Sequence, residues 1–209
     1  MKNIFKQLLI LTALLATGCT GFGGSSPEES EVEEGIDVQK NPIAAIQKAV
    51  ELGKNIDDNV IANRDPVEPV SFKELLKYLP SAPQGWQAEE AEGETNSFAN
   101  YSISQVSQAY VNGDKKMEVS IFDWAFNSAL YTPFLLSTEF SQESTAGYNK
   151  GIKINDIPGR EEFDYSRQAG SLNLLVNSRF LVQIDGDNID EQELREWWKL
   201  VDYQSLNKI

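Results

Sequence analysis

The stretch from Tyr101 to Asp123 constrains the fold most, because apolar residues alternate with polar ones on both sides of Asn112-Gly113. Tyr101-Ser102-Ile103 and Val106-Ser107-Gln108-Ala109-Tyr110 lead in, and Met117, Val119 and Ile121 return against Glu118 and Ser120. Asn-Gly between two such runs is a strong hairpin signal, since its central residues tolerate positive φ. A turn centred on Asn112-Gly113 places Val106 opposite Val119, with Met117 and Ile121 on the same side and Ser107 and Glu118 on the other. One face is apolar and one polar, which demands an antiparallel sheet covered on one side. The alternation shifts near Ser104-Gln105, where a bulge is expected.

The remaining apolar patterns supply partners for that hairpin. Ser71 and Glu74 form a capping-box pattern ahead of a short helix carrying Phe72, Leu75, Leu76 and Leu79 and stopped by Pro80. Residues 127–140 read as a second helix, with Thr132 as cap, Pro133 in its first turn, and Phe134, Leu135, Leu136 and Phe140 on its apolar face. Tyr148 to Ile154 and Arg160 to Tyr165 read as strands across an Asp156-Ile157-Pro158-Gly159 turn. Leu172 to Val176 and Phe180 to Ile184 form a hairpin around Asn177-Ser178, apolar enough to be the central strand pair. A last helix spans about Ile189 to Val201, with Asn188 and Glu191 as a capping box and Leu194, Trp197, Trp198 and Val201 at helical spacing. That spacing favours packing of the two tryptophans on the sheet over a ligand site. The fold class expected is therefore α+β, a single antiparallel β-sheet with helices packed mainly on one face.

The N-terminal segment has a different character. Lys2 and Lys6 precede an apolar run from Leu8 to Ala16, long enough for a signal core and too short to span a bilayer. Leu15-Ala16-Thr17-Gly18-Cys19 follows, and it resembles the lipobox of bacterial lipoproteins, whose cysteine receives a diacylglyceryl thioether and becomes the mature N-terminus. Ala16 stands where that family usually has Leu. The resemblance implies lipid attachment at Cys19, a membrane anchor, and, with Thr20 rather than Asp next to the cysteine, an outer-membrane address facing the periplasm where a cell has two membranes. Acylation also accounts for a single cysteine, which closes no internal disulfide.

The organisation expected is a signal peptide over 1–18, the lipidated cysteine and an acidic tether over 19–41, a possible helix and linker over 42–66, and a globular domain over 67–209. In the tether, glycines and serines give way to Glu28, Glu29, Glu31, Glu33, Glu34 and Asp37, too polar to bury a core and self-repelling. As coil, residues 20–41 span about 25 Å, and fully stretched about 75 Å.

Charge and composition narrow the functional classes. The chain has a net charge of −14 with no histidine, and losing Lys2 and Lys6 leaves 16 basic against 32 acidic residues, net −16. Such a balance repels nucleic acid and anionic head groups. The commonest general base and the commonest metal ligand are missing, and with them any Ser-His or Cys-His pair. Asp185-Gly186-Asp187-Asn188-Ile189-Asp190 invites a calcium reading, since Glu196 falls twelfth from Asp185. Ile189 nevertheless occupies the fifth place, and Asp190 the sixth, where a calcium loop needs glycine. Asp185, Asp187 and Asp190 are therefore only weak candidates, and no metal or cofactor is expected.

Asp123 continues the Met117, Val119, Ile121 face and points to the covered side, where a carboxylate is costly unless hydrogen-bonded. Capping of nearby amides is the plain explanation; a pocket-lining acid is the other. Arg179, opening the last strand, reads as one half of a surface ion pair or as an anion contact.

Gly85-Trp86, Ile121-Phe122-Asp123 and Val176-Asn177-Ser178-Arg179-Phe180-Leu181-Val182 resemble segments shared by a set of uncharacterised bacterial envelope proteins. More loosely, the element order over 67–209 resembles the PsbP-like fold of photosystem accessory proteins, an antiparallel sheet with helices on it. Both resemblances imply an α+β fold and a non-catalytic role. The expectation is a lipid-anchored envelope module that binds another protein or assists envelope assembly, with Asp123, Arg179 and Trp86 as candidate ligand or partner residues. A small-ligand or divalent-ion carrier is the alternative, and a periplasmic hydrolase stands third.

Overall fold

The computed structural model describes residues 36–37, 65–98 and 101–209. The signal segment, Cys19 and nearly all of the tether and linker lie outside these residues.

The described chain forms a predominantly antiparallel sheet of ten strands with a few short helices. The strands are β1 (Ile36–Asp37), β2 (Gln87–Ala88), β3 (Glu92–Phe98), β4 (Tyr101–Asn112), β5 (Lys115–Asp123), β6 (Phe140–Ser144), β7 (Gly147–Ile154), β8 (Ile157–Asp164), β9 (Ala169–Val176) and β10 (Phe180–Asp187). The helices are α1 (Phe72–Leu75), continued by a 3₁₀ turn over Leu76–Tyr78, then α2 (Ser128–Ser137), α3 (Glu191–Trp198) and α4 (Tyr203–Leu206). The spatial order is β1-β6-β7-β8-β9-β10-β5-β4-β2, with β3 also paired to β4. Among the described residues the only parallel pair is β1 with β6, Ile36 opposite Phe140 and Asp37 opposite Ser141.

The Asn112-Gly113 hairpin forms, with its turn one residue later than expected. Asn112 pairs with Lys115, so Gly113 (φ +60°) and Asp114 make the loop. That is the glycine-first turn geometry favoured in two-residue hairpins. Val106 consequently faces Ile121 rather than Val119. The slip is two residues, one full side-chain period, so every side chain keeps its expected face. No bulge interrupts Ser104-Gln105; pairing runs unbroken from Asn112 to Ser104.

Other boundaries moved for local reasons. β7 and β8 are joined by Asn155-Asp156, both at positive φ, while Pro158 and Gly159 lie inside β8. Pro158 pairs only with Lys153 of β7, because β8 meets β9 from Gly159 onward, so its missing N–H costs no bond to β9. Asn127, not Thr132, caps α2 by accepting from Ala129 N, which leaves Pro133 inside the helix and Phe140 in β6. Asp190 with Glu193, rather than Asn188 with Glu191, forms the capping box of α3; Asn188 turns the chain at φ +58°. At α1 the Ser71 hydroxyl accepts from Lys73 N, and Glu74 pairs with Lys77 instead of reaching back.

Register defines the two faces. Val106, Ile121, Val182, Leu174, Gly159 and Ile152 form one row across six strands. Leu75, Leu194, Trp197, Trp198 and Leu206 belong to the same buried cluster as Val106, Ile121, Val182, Leu174 and Ile152. Each fully buried Leu or Ile contributes roughly 1.5–3 kcal/mol, so this layer dominates stability. β9 and β10 lie in the middle of the sheet, where the sequence placed its most apolar hairpin.

The opposite face carries the row Ser107, Ser120, Gln183, Asn173, Arg160 and Gly151. The next row is Ala109, Glu118, Asp185, Ser171, Glu162 and Asn149. One end of this second face is closed by α2: Arg160 donates to Ser137 O, and a Cβ on Gly151 would meet the Thr138 carbonyl.

Candidate functional site

Asp123 sits at the end of β5 with no exposed surface, and its carboxylate is saturated. Oδ1 accepts from Ala125 N at 2.8 Å and Arg179 Nε at 2.9 Å; Oδ2 accepts from Val70 N at 2.7 Å and Arg179 Nη2 at 2.7 Å. Four donors fill the four lone-pair positions of a carboxylate. Capping of amides is thus part of the answer, and a buried arginine is the rest. Arg179 is 6% exposed, so the pair is buried and not on the surface. Its remaining Nη1 donates to Ile209 O at 2.7 Å, and the guanidinium lies over the rings of Phe126 and Phe180.

The turn explains why Arg179 can reach. Val176 pairs with Phe180, so the loop holds three residues, Asn177, Ser178 and Arg179, the first two at φ +54°. Arg179 therefore leaves the strand and folds back to β5. The result is a clamp joining the approach to α1, the end of β5, the β9–β10 loop and the C-terminus. Its carboxylate has no lone-pair position left for a ligand.

Trp86 does not share this site. It packs edge-on against Trp197 at 5.0 Å, and Trp197 also meets Tyr110, which pairs with Met117. Met117 and Asp123 are six residues apart on β5, roughly 20 Å along a strand. Burial pushes the Tyr110 hydroxyl up to about 12, so it stays protonated and donates to Pro80 O at 2.6 Å.

The three weak metal candidates have separate roles. Asp190 caps α3, Asp185 accepts from Gln183 Nε2 at 2.7 Å on the second face, and Asp187 ends β10, exposed. Among the described residues no group of three or more His, Cys, Asp or Glu side chains is placed to hold a metal ion. Burial, with Glu118 and Glu162 nearby, raises the Asp185 carboxyl despite hydrogen bonds from Ser171 and Gln183 that act the other way.

An open groove of about 890 Å³ lies between β7 and the helices α3 and α4. Its wall is built on Glu161, which is 1% exposed. Glu161 accepts from Tyr148 Oη at 2.7 Å and from Arg195 Nε and Nη2 at 2.8 and 3.2 Å. A buried acid is tolerated because three donors replace its water. Burial, and then the bond to Glu161, raises the Tyr148 hydroxyl far above the ordinary phenol range, so Tyr148 is held as a donor. Lys150 Nζ lies 4.5 Å from the centre of the Tyr148 ring.

Aromatic rings form the rest of the wall. Tyr203 stacks on Trp198 at 4.8 Å with 16° between planes, and its hydroxyl accepts from Asn155 Nδ2 at 3.0 Å. Trp198 is 2% exposed, and its indole N–H is one of three buried side-chain polar atoms without a partner among the described residues. A donor left so costs about 1–3 kcal/mol. The charged lining is balanced: Lys150, Arg195 and Lys199 against Glu161, Glu191 and Glu196. The one buried acid of the lining, Glu161, is committed to holding the wall.

Sequence reasoning missed Glu161, although a signal was present. Phe163 is an inward residue of its strand, and period two makes Glu161 inward as well. Tyr203 carried no comparable signal, because only the turn after Val201 lays it on Trp198.

No protein-family model, curated protein or solved structure matches the chain.

Proposed function

We propose that this is a lipid-anchored cell-envelope protein, held by Cys19 in the membrane, whose domain is a non-catalytic module that binds another envelope protein or assists envelope assembly. The lipobox pattern from Leu15 to Cys19 supports the anchor. The observation that carries the binding role is the second face of the sheet. Along two adjacent rows there, Ser107, Gln183, Asn173, Glu118, Asp185 and Glu162 present a hydroxyl, amides and acids across five strands, with Ser120 and Ser171 buried among them. The layer arrangement in this reading has helices mainly on the apolar face, so that these rows remain accessible. Three acids in one row favour a partner surface that is basic and rich in hydrogen-bond donors. In a two-membrane cell the module would stand on the outer membrane and face the periplasm.

The test is in-cell photocrosslinking with the probe at Gln183 or Glu118, and at Lys199 as the control on the other side. A single adduct from the first two positions and none from the third is the result expected. No adduct at either sheet position, in cells where Lys199 reacts, would remove the partner role from this face. The anchor has its own check: Cys19→Ser abolishes lipid labelling and releases the protein from the membrane fraction.

A second reading, a small-ligand module, is favoured by the open groove beside α3.

A further inference from the structure

We infer that the groove between β7, α3 and α4 is a saccharide-binding site, taking a neutral glycan segment. This rests on the ligand-binding reading of the groove and is independent of the partner face. Three observations converge.

The groove is open to solvent and about 890 Å³ in volume, which suits part of an oligomer better than an enclosed metabolite. Its lining carries three cations and three acids in a protein of net charge −14. A strongly charged ligand of either sign would meet like charges there, whereas a neutral polyhydroxylated ligand meets donors and acceptors in equal supply. Tyr203 lines the groove with a partly exposed ring, and an amphipathic ring suits the C–H face of a pyranose unit.

The wall is also preorganised. Glu161 fixes Tyr148 and Arg195 together, and Tyr203 is pinned by its stack on Trp198 and by Asn155. A ligand therefore immobilises few side chains on binding. In this assignment Tyr203 is the platform, Tyr148 and Lys150 flank the adjoining unit, and Gln192 offers an amide at the rim.

The experiment uses the full chain in detergent and chitotetraose, a neutral N-acetylglucosamine tetramer, followed by titration calorimetry and tryptophan emission. Saturable binding in the range of about 0.1–1 mM is expected, as befits a shallow site. Tyr203→Ala should weaken it at least about tenfold, a loss of one stacking platform, while Tyr203→Phe binds within about twofold because the ring remains. Should Tyr203→Ala unfold, Lys150→Ala and Gln192→Ala carry the test, each expected to lower affinity several-fold.

No saturable heat up to about 10 mM tetramer overturns the assignment. So does binding that survives unchanged in the folded groove variants, since the sugar then sits elsewhere. Crosslinking at Gln183 should be the same in all of these variants, so failure here leaves the partner face untouched.

Discussion

The residue that governs the most structure is Asp123. Removing its carboxylate strands a buried guanidinium and two backbone amides at once, those of Val70 and Ala125. Breaking one partner of a buried ion pair costs about 3–5 kcal/mol, so Asp123→Ala should lower the unfolding free energy measured by urea titration by that amount. Combining it with Arg179→Met should recover part of the loss, because the unpaired charge is gone. Asp185 runs the other way. Its carboxyl is raised in the folded state, so ionisation opposes folding, and that penalty is absent below the unfolded value of 3.8 and complete above the raised one. Asp185→Asn should accordingly raise the melting temperature at pH 7, with the gain fading as the pH falls towards 4. Asp123 was legible by counting in twos from Ile121. Its partner was not, because one extra loop residue decides whether Arg179 stays in the strand or swings back.

At the scale of elements, the strands were legible and the joints between them were not. Period-two patterning placed every long strand from β4 to β10 except β6, since burial of one face leaves a direct mark on the sequence. Turns depend instead on which residue takes positive φ. Pro158-Gly159 looked like the strongest turn signal, yet Asn155 and Asp156 made the bend and let the proline end at the margin of β8. The caps of α2 and α3 moved by five and two residues for a similar reason: several Asn, Asp and Thr compete, and tertiary packing selects one. In the groove, Glu161 was recoverable from Phe163, while the Tyr203 stack depended on a short helix no periodicity announces. Two tests belong here. Gly151→Ala drives a methyl into the Thr138 carbonyl and should cost about 1–3 kcal/mol in denaturant unfolding. Glu161→Gln loses the charge that holds Arg195 to the sheet, and faster amide exchange in α3 than in β9 is the expected signature.

For the whole molecule, the consequential contact is the smallest one, the two-residue parallel pairing of β1 with β6. Ile36→Pro removes a ladder donor, and amides of Phe140 to Gln142 should exchange faster while the urea midpoint of the domain stays put. The pairing also changes the mechanics of attachment. With Cys19 in a bilayer as proposed, only residues 20–35 separate the lipid from the sheet edge. A coil of 16 residues would reach about 22 Å relaxed and about 55 Å taut, against about 37 Å and 150 Å if the first fixed point were Asp65. The protein is then moored along one flank, not hung from its first helix. Under that anchor its β6 side would ride nearest the lipid, and any partner would have to come within a few nanometres of the membrane surface.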